Sequence, residues 1–140
     1  MKSLRKLHFR AMLAVIFLGC LMNSCFLKQD RTTVVYGKIT DEKGQAVDSI
    51  MVVVQGKRML THELLATTYS DENGNYELLV DVPKKFVAVN AGIPSFPVEN
   101  PKFHKKYVSY GVLKNGKVTT DCCNSDVGTK TQYDFQLKSR

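Results

Sequence analysis

Residues 34–56 read VVYGKITDEKGQAVDSIMVVVQG, and residues 67–80 read TTYSDENGNYELLV. VVYGKIT is an apolar run holding one glycine, Gly37, and has the composition of a strand. Asp41 and Gly44 in DEKGQAV then mark a tight turn, because an Asp side chain bonds backbone beyond it and Gly accepts left-handed torsions. SIMVVVQG follows, with Val52 to Val54 forming a β-branched run suited to a strand at a sandwich core. Gly56-Lys57-Arg58 is expected to begin a loop. ELLATTYS admits a helix over Glu63 to Ala66, whereas Thr67, Thr68 and Tyr69 favour a strand. DENGN centres on Asn73-Gly74, the strongest short hairpin signal in the chain. NYELLVDVP alternates, and Pro83 ends it.

Outward from these stretches the pattern stays β. KFVAVNAG continues as a strand through Phe86, Val87 and Val89. GIPSFPVENPKFHK holds three of the four prolines and is expected to be a loop or an irregular edge crossing. KYVSYGVLKNGKVTT reads as a hairpin turning at Lys114-Asn115-Gly116, Cys122 to Gly128 as a small-residue loop. TKTQYDFQLK alternates, with Tyr133, Phe135 and Leu137 on one face. Short strands separated by Gly, Asn and Asp imply an all-β fold, an antiparallel sandwich of about seven strands.

Between Val34 and Val89 the chain resembles the carboxypeptidase-regulatory-like domains, a transthyretin-like (prealbumin-like) β-sandwich group. The first half of the resemblance rests on Gly37, Asp41, Gly44, Ala46-Val47 and Val52 to Val54. The second rests on Ser70, Asp71, Gly74 and Tyr76, a Thr/Ser-Asp-x-x-Gly-x-aromatic turn. It implies a non-catalytic module that serves alone or as an adaptor on bacterial surface and outer-membrane proteins. It also implies that YDFQL closes the sandwich at an edge. The family's run to its end is short, whereas this chain inserts the proline-rich segment and the KNGK hairpin. A specific function is therefore sought within Ile93 to Gly128, on loops carried by a scaffold.

The N-terminus carries an address. Lys2, Arg5, Lys6 and Arg10 precede AMLAVIFLGCLM, an uncharged run of residues 11–22 that suits a signal-peptide core and is short for a membrane span. Leu21-Met22-Asn23-Ser24-Cys25 resembles the lipobox of bacterial lipoproteins, in which an apolar and a small residue precede the acylated cysteine. Cys20 after Gly19 competes, but cutting there would leave Leu21 and Met22 outside the apolar core. The expected organisation is a signal peptide over 1–24, a lipidated tether over 25–33 with lipid (palmitate) attachment at Cys25, and the sandwich over 34–140. Phe26 after the cysteine permits delivery to the outer membrane of a Gram-negative envelope. Whether the domain faces the periplasm or the outside is left open by the short run Lys28-Gln29-Asp30.

The charge excludes one class of partner. The chain's net +7 includes the four n-region cations, so the expected mature chain carries 16 − 13 = +3. A spread-out +3 gives no basic face for nucleic acid.

Two stretches invite chemistry. Cys122-Cys123 can be a vicinal disulfide, two free thiols or a link to another chain, since acylation of Cys25 and removal of Cys20 leave no other cysteine. Asp121, Asp126, His104 and His62 suggest a metal or thiol centre, yet adjacent cysteines lack the spacing of zinc ligands and of C-x-x-C redox pairs. No metal, cofactor or catalytic residue is expected. Asp71, Asn73 and Asn75 alternate as in a calcium loop, but Tyr76 and Val82 stand where Gly and Glu are needed. FHKKYVSYG sets Phe103, His104, Lys105, Lys106, Tyr107 and Tyr110 together, a mixture able to stack on sugars or grip acidic polymers. As a strand it places Tyr107, Ser109 and Gly111 on one face and Lys106, Val108 and Tyr110 on the other. Lys84-Lys85 reads as a charged turn at a strand end.

The expected function is a non-enzymatic envelope lipoprotein whose sandwich binds or scaffolds, with the membrane and an envelope protein or glycan as partners. Two alternatives stand beside it: a small thiol- or metal-dependent envelope protein using Cys122, Cys123 and His104, and an accessory subunit of an outer-membrane transport complex.

Overall fold

The computed structural model describes residues 30–120 and 123–140; the expected signal peptide, with Cys20, and the expected lipid site Cys25 lie outside them. Among the described residues, two sheets pack face to face as a β-sandwich. One has the order β4(Asn75–Asp81), β1(Thr32–Thr40), β9(Lys130–Ser139), β6(Tyr107–Lys114), β7(Lys117–Val118). The other has the order β3(Thr61–Tyr69), β2(Met51–Arg58), β5(Ala88–Gly92), β8(Asn124–Asp126). One short helix, α1(Pro101–Lys106), precedes β6. Alternation fixes the inner faces: Val35 and Ile39 of β1, Tyr76, Leu78 and Val80 of β4, and Tyr133, Phe135 and Leu137 of β9 meet Val52, Val54, Val89 and Ala91 across the core.

The all-β sandwich is thus as expected, with particular differences. Among the described residues the sheets hold nine strands, and β1 pairs with β9 in parallel, Val34 opposite Lys130 and Thr40 opposite Gln136. The expected edge strand YDFQL is central, because β9 sits between β1 and β6. Asn73-Gly74 does not close a hairpin: β3 and β4 belong to different sheets, so the turn is an arch across the sandwich. Gly56 to Arg58 remains in β2, and 61–69 is wholly strand. Cys122 to Gly128 contributes β8 instead of only a loop. β1 begins at Thr32, and the residue before it is already bound to the sandwich. Arg31 donates from Nε to the Val82 carbonyl at 2.8 Å and from its guanidinium to the Phe86 carbonyl at 2.6 Å, and Thr33 is buried.

The arch and the β1–β2 turn share one local design. In DEKGQ, the Asp41 carboxylate accepts from the Lys43 and Gln45 amides at 2.9 and 2.8 Å, and the Gly44 amide donates to the Asp41 carbonyl at 3.0 Å. In DENGN, Asp71 accepts from Asn73 and Asn75 at 2.9 and 2.8 Å, and Gly74 donates to Asp71 at 2.9 Å. Each Asp occupies backbone donors that the turn leaves without strand partners, and each Gly takes the left-handed φ of 76°. Ser70 binds the turns together: its hydroxyl donates to the Val47 carbonyl at 2.8 Å and accepts from the Ile50 amide at 3.0 Å.

Gly37 and Tyr76 lock the five-stranded sheet. The ladder between β1 and β9 is interrupted opposite Gly37, where the Tyr76 hydroxyl crosses β1 to donate to the Tyr133 carbonyl at 2.7 Å. The Lys38 amide, deprived of the same partner, donates to the Asp134 carboxylate at 2.8 Å. A Cβ at position 37 would lie 1.9 Å from the Tyr133 carbonyl oxygen, so only glycine lets the strands meet there. Burial holds the Tyr76 phenol well above its ordinary titration range, so it stays a donor at any physiological pH.

Tyr76→Phe leaves the Tyr133 carbonyl without its partner, and a loss of about 1–3 kcal/mol is expected in chemical denaturation. Gly37→Ala should lower stability by at least about 3 kcal/mol in the same measurement, because backbone itself obstructs the methyl group.

Candidate functional site

Two surfaces bear on function: the segment nominated from the sequence, and a groove that the sequence did not reveal. The segment folds through α1. Asn100 sits at the helix N-cap, yet its side chain does not cap; it is fully buried and serves β2 instead. Its Oδ1 accepts from the Met51 amide at 3.1 Å, and its Nδ2 donates to the Pro94 carbonyl at 2.8 Å. An amide side chain thus stands in as a strand partner and pins residues 94–100 to the sandwich. Pro101, which argued for an irregular crossing, opens the helix at N1, where its missing N–H costs nothing. His104, Lys105 and Lys106 fall in the last turn, where cations complement the carbonyl end.

The nominated residues therefore separate. Phe103 and Tyr107 are buried and stacked with centroids 6.2 Å apart. Tyr110 packs edge-on against Phe103 and against Phe135 at 6.1 and 5.2 Å. These three aromatics belong to the core and its margin, which corrects the expectation of an aromatic and cationic contact surface. The expected two-face alternation also fails, because the pairing of β6 with β9 shifts between Tyr107 and Ser109. The shift lets both Tyr107 and Tyr110 turn toward Phe103. Lys105 and Lys106 remain exposed, and His104 is half-buried with a buried Nδ1 that has no hydrogen-bond partner.

Lys102 fastens the helix from the other side by an ion pair with Asp48, in the loop before β2. The Lys102 ammonium and then the Ser49 hydroxyl hold the Asp48 carboxyl down at about 2. A lowered carboxyl stabilises the fold above its ordinary titration range and loses that contribution as pH falls through the lowered value.

The cysteine pair is only partly described. Cys123 is fully buried and disulfide-bonded, and the cysteine that pairs with it lies outside the described residues, as do Asp121 and Cys122. A free thiol at Cys123 is thereby replaced by an oxidised one. Its carbonyl accepts from the Ala91 amide at 3.0 Å, which ties the loop to β5. Among the described residues, no group of three or more His, Cys, Asp or Glu side chains could hold a metal ion. His62 and Asp126 are exposed on separate strands, β3 and β8.

The groove, about 590 Å³, lies over Gly37. Tyr36, Lys38, Asn75, Glu77, Gln132 and Asp134 line it from the five-stranded sheet, and Thr68, Tyr69 and Asp71 from the strand and arch beside it. Much of its polarity is already paired. Gln132 Nε2 donates to Asp134 Oδ2 at 2.9 Å, the Tyr69 hydroxyl donates to the Glu99 carbonyl at 2.8 Å, and the Lys130 ammonium covers the Tyr36 ring at 4.7 Å. Its open, hydrogen-bonding character suits a neutral polar ligand more than a strongly charged one. Strand alternation puts Tyr36, Lys38, Gln132 and Asp134 on one face, but their approach depends on the parallel pairing of β1 with β9, a contact about a hundred residues apart.

No family model matches the chain, and no curated protein matches it. Among solved structures, a 9R-lipoxygenase from Cyanothece PCC8801 is similar over 81% of this chain at 10% identity, with a TM-score of 0.40. The chain spans 17% of that protein's length, and a likeness at this level carries no argument about activity.

Acidification from about pH 4 to about pH 2 should loosen α1 as Asp48 takes up its proton, with lower amide protection factors at 103–106. In Asp48→Asn the same amides should exchange faster at neutral pH and show no further acid step.

Proposed function

We propose that this protein is an exported, lipid-anchored envelope protein whose β-sandwich is a non-catalytic binding or scaffold module of the carboxypeptidase-regulatory-like type. One observation carries the reading of the module: the residues of the sequence resemblance have structural duties in the fold. Gly37 admits the Tyr76 hydroxyl, Asp41 and Asp71 satisfy their turns, Gly44 and Gly74 take left-handed torsions, and Ser70 joins the two loops. A motif spent on architecture leaves function to surface and attachment.

Attachment rests on the Cys25 lipobox. Acyl chains bury methylenes at roughly 0.8 kcal/mol each, so several chains on one cysteine hold a domain at the bilayer durably. On this reading Cys20 leaves with the signal and Cys25 is acylated, so Cys122 is the partner left in the chain for the Cys123 disulfide. The outer membrane is the proposed location, and a glycan or envelope protein the proposed ligand of the groove over Gly37. The groove supports this with amide and carboxylate groups along its lining, Asn75, Glu77, Gln132 and Asp134 among them.

Labelled palmitate should enter the wild-type protein and not Cys25→Ala, and the mutant should leave the membrane fraction. Equal labelling of the mutant would move the anchor to Cys20; absence of label in the wild type would remove the anchor altogether.

A further inference from the structure

The sandwich has two unlike ends. The Asp41–Gly44 turn and the Ser70–Gly74 arch lie at one. At the other the chain enters: Arg31 is bound to the carbonyls of Val82, Pro83 and Phe86, and Val87 donates to the Lys57 carbonyl at 3.1 Å. The entry point, the 83–87 turn and the tip of the β2–β3 hairpin therefore form one end of the molecule.

That hairpin tip is anomalous. Arg58 pairs with Thr61, so Met59 and Leu60 are its two loop residues. Met59 is 84% exposed and Leu60 96%, the largest exposures among the described large apolar side chains. Met59 also adopts a left-handed φ of 50°, which favours Gly or Asn. The same chain meets the same requirement conventionally at the β6–β7 loop, where Asn115 and Gly116 have φ of 50° and 76°. A bulky apolar pair thus stands fully in water at a position where its backbone is disfavoured, which asks for a use beyond turning.

The surroundings identify the use. Lys57 and Arg58 precede the tip, and Lys84 and Lys85 lie on the adjoining turn with Val87, which is 75% exposed. Acidic side chains reach this end too: Lys85 neutralises Glu63 at 2.7 Å, while Asp30, Asp81 and Asp126 lie at the strand ends behind the tip. Apolar side chains projecting beside four cations match an anionic bilayer surface, with hydrocarbon below the headgroups and negative charge among them. The place of entry agrees. Five residues lie between Cys25 and Arg31, so the Cα-to-Cα reach is at most roughly 20 Å. Phe96 and Val98, a second exposed apolar pair, lie at the opposite end, about 30 Å of strand away.

We infer that the Met59-Leu60 tip, flanked by Lys57, Arg58, Lys84 and Lys85, inserts into an anionic leaflet and sets the domain upright on it. The inference deepens the anchor reading by giving the module an orientation: the tip faces lipid, and the two Asp-Glu turns face away.

The chain contains no tryptophan, so one introduced residue reports alone. Full-length Leu60→Trp and Val98→Trp proteins are reconstituted on phosphatidylethanolamine vesicles containing brominated lipid, with and without phosphatidylglycerol. Flotation reports attachment; fluorescence reports the tip. Leu60→Trp should shift to the blue and be quenched, more strongly with phosphatidylglycerol, while Val98→Trp stays unquenched. Adding Lys84→Gln/Lys85→Gln should weaken the Leu60→Trp quenching about twofold or more. Both sites are exposed, so equal thermal midpoints certify folding. Flotation without quenching at Leu60→Trp overturns the insertion and leaves the anchor standing, and equal quenching at both positions overturns the orientation. A chain unlabelled at Cys25 overturns the anchor, and the same quenching on that unacylated chain still decides the tip.

Discussion

The hydrogen bond from the Tyr76 hydroxyl to the Tyr133 carbonyl is the constraint on which the rest of the sandwich depends. It joins β4 to β9 over the intervening β1, and it works only because Gly37 presents no side chain there. Tyr133 then carries the linkage to the other sheet, since its own hydroxyl donates to the Asn124 carbonyl at 2.7 Å and lies 3.1 Å from the Ser125 hydroxyl. One fully buried tyrosine thus fixes a strand order by its backbone and a sheet-to-sheet spacing by its ring. Buried polar groups that are fully paired in this way specify a single packing, because any slip leaves several of them unsatisfied at once.

The two ends of the sandwich follow from that central lock. At one, Asp41 and Asp71 close two copies of the same turn, and Ser70 fastens them together, so the arch between sheets is held by backbone-directed bonds. Gly74 is packed against the Ile39 carbonyl, which extends the β1 ladder into the arch. At the other end Arg31 gathers the carbonyls of the 82–86 turn where the chain enters. Arg31 is therefore already bound to the sandwich, and under the proposed anchor at Cys25 the short stretch between them would limit how far the domain can move from a surface.

Much of this was legible beforehand, and the failures have physical causes. β-branched Val52 to Val54 and the alternating Tyr133, Phe135 and Leu137 announced their strands, and Asp41, Gly44 and Gly74 announced their turns. Asn73-Gly74 reads as a hairpin in the sequence because turn chemistry specifies a reversal of direction and not which sheet receives the next strand. β9 was placed at an edge because a parallel neighbour a hundred residues away leaves no local mark. The aromatic character of Phe103, Tyr107 and Tyr110 suggested a surface, whereas the register shift in β6 sends both tyrosines inward. Asn100 gave no signal at all, since an asparagine that mimics a strand reads like any loop residue. The groove over Gly37 emerges only once distant strands are brought together, and the exposed pair Met59-Leu60 only once 61–69 is seen to be a strand that closes a hairpin on β2.

The central claim is that this sandwich works as a module held at a membrane by its first cysteine after the signal. Mass spectrometry of the N-terminal peptide from protein extracted out of membranes tests it most directly. The account predicts a chain starting at Cys25, its thiol and amine carrying lipid. A chain that retains residues 1–24, or one that starts elsewhere with Cys25 unmodified, would contradict it.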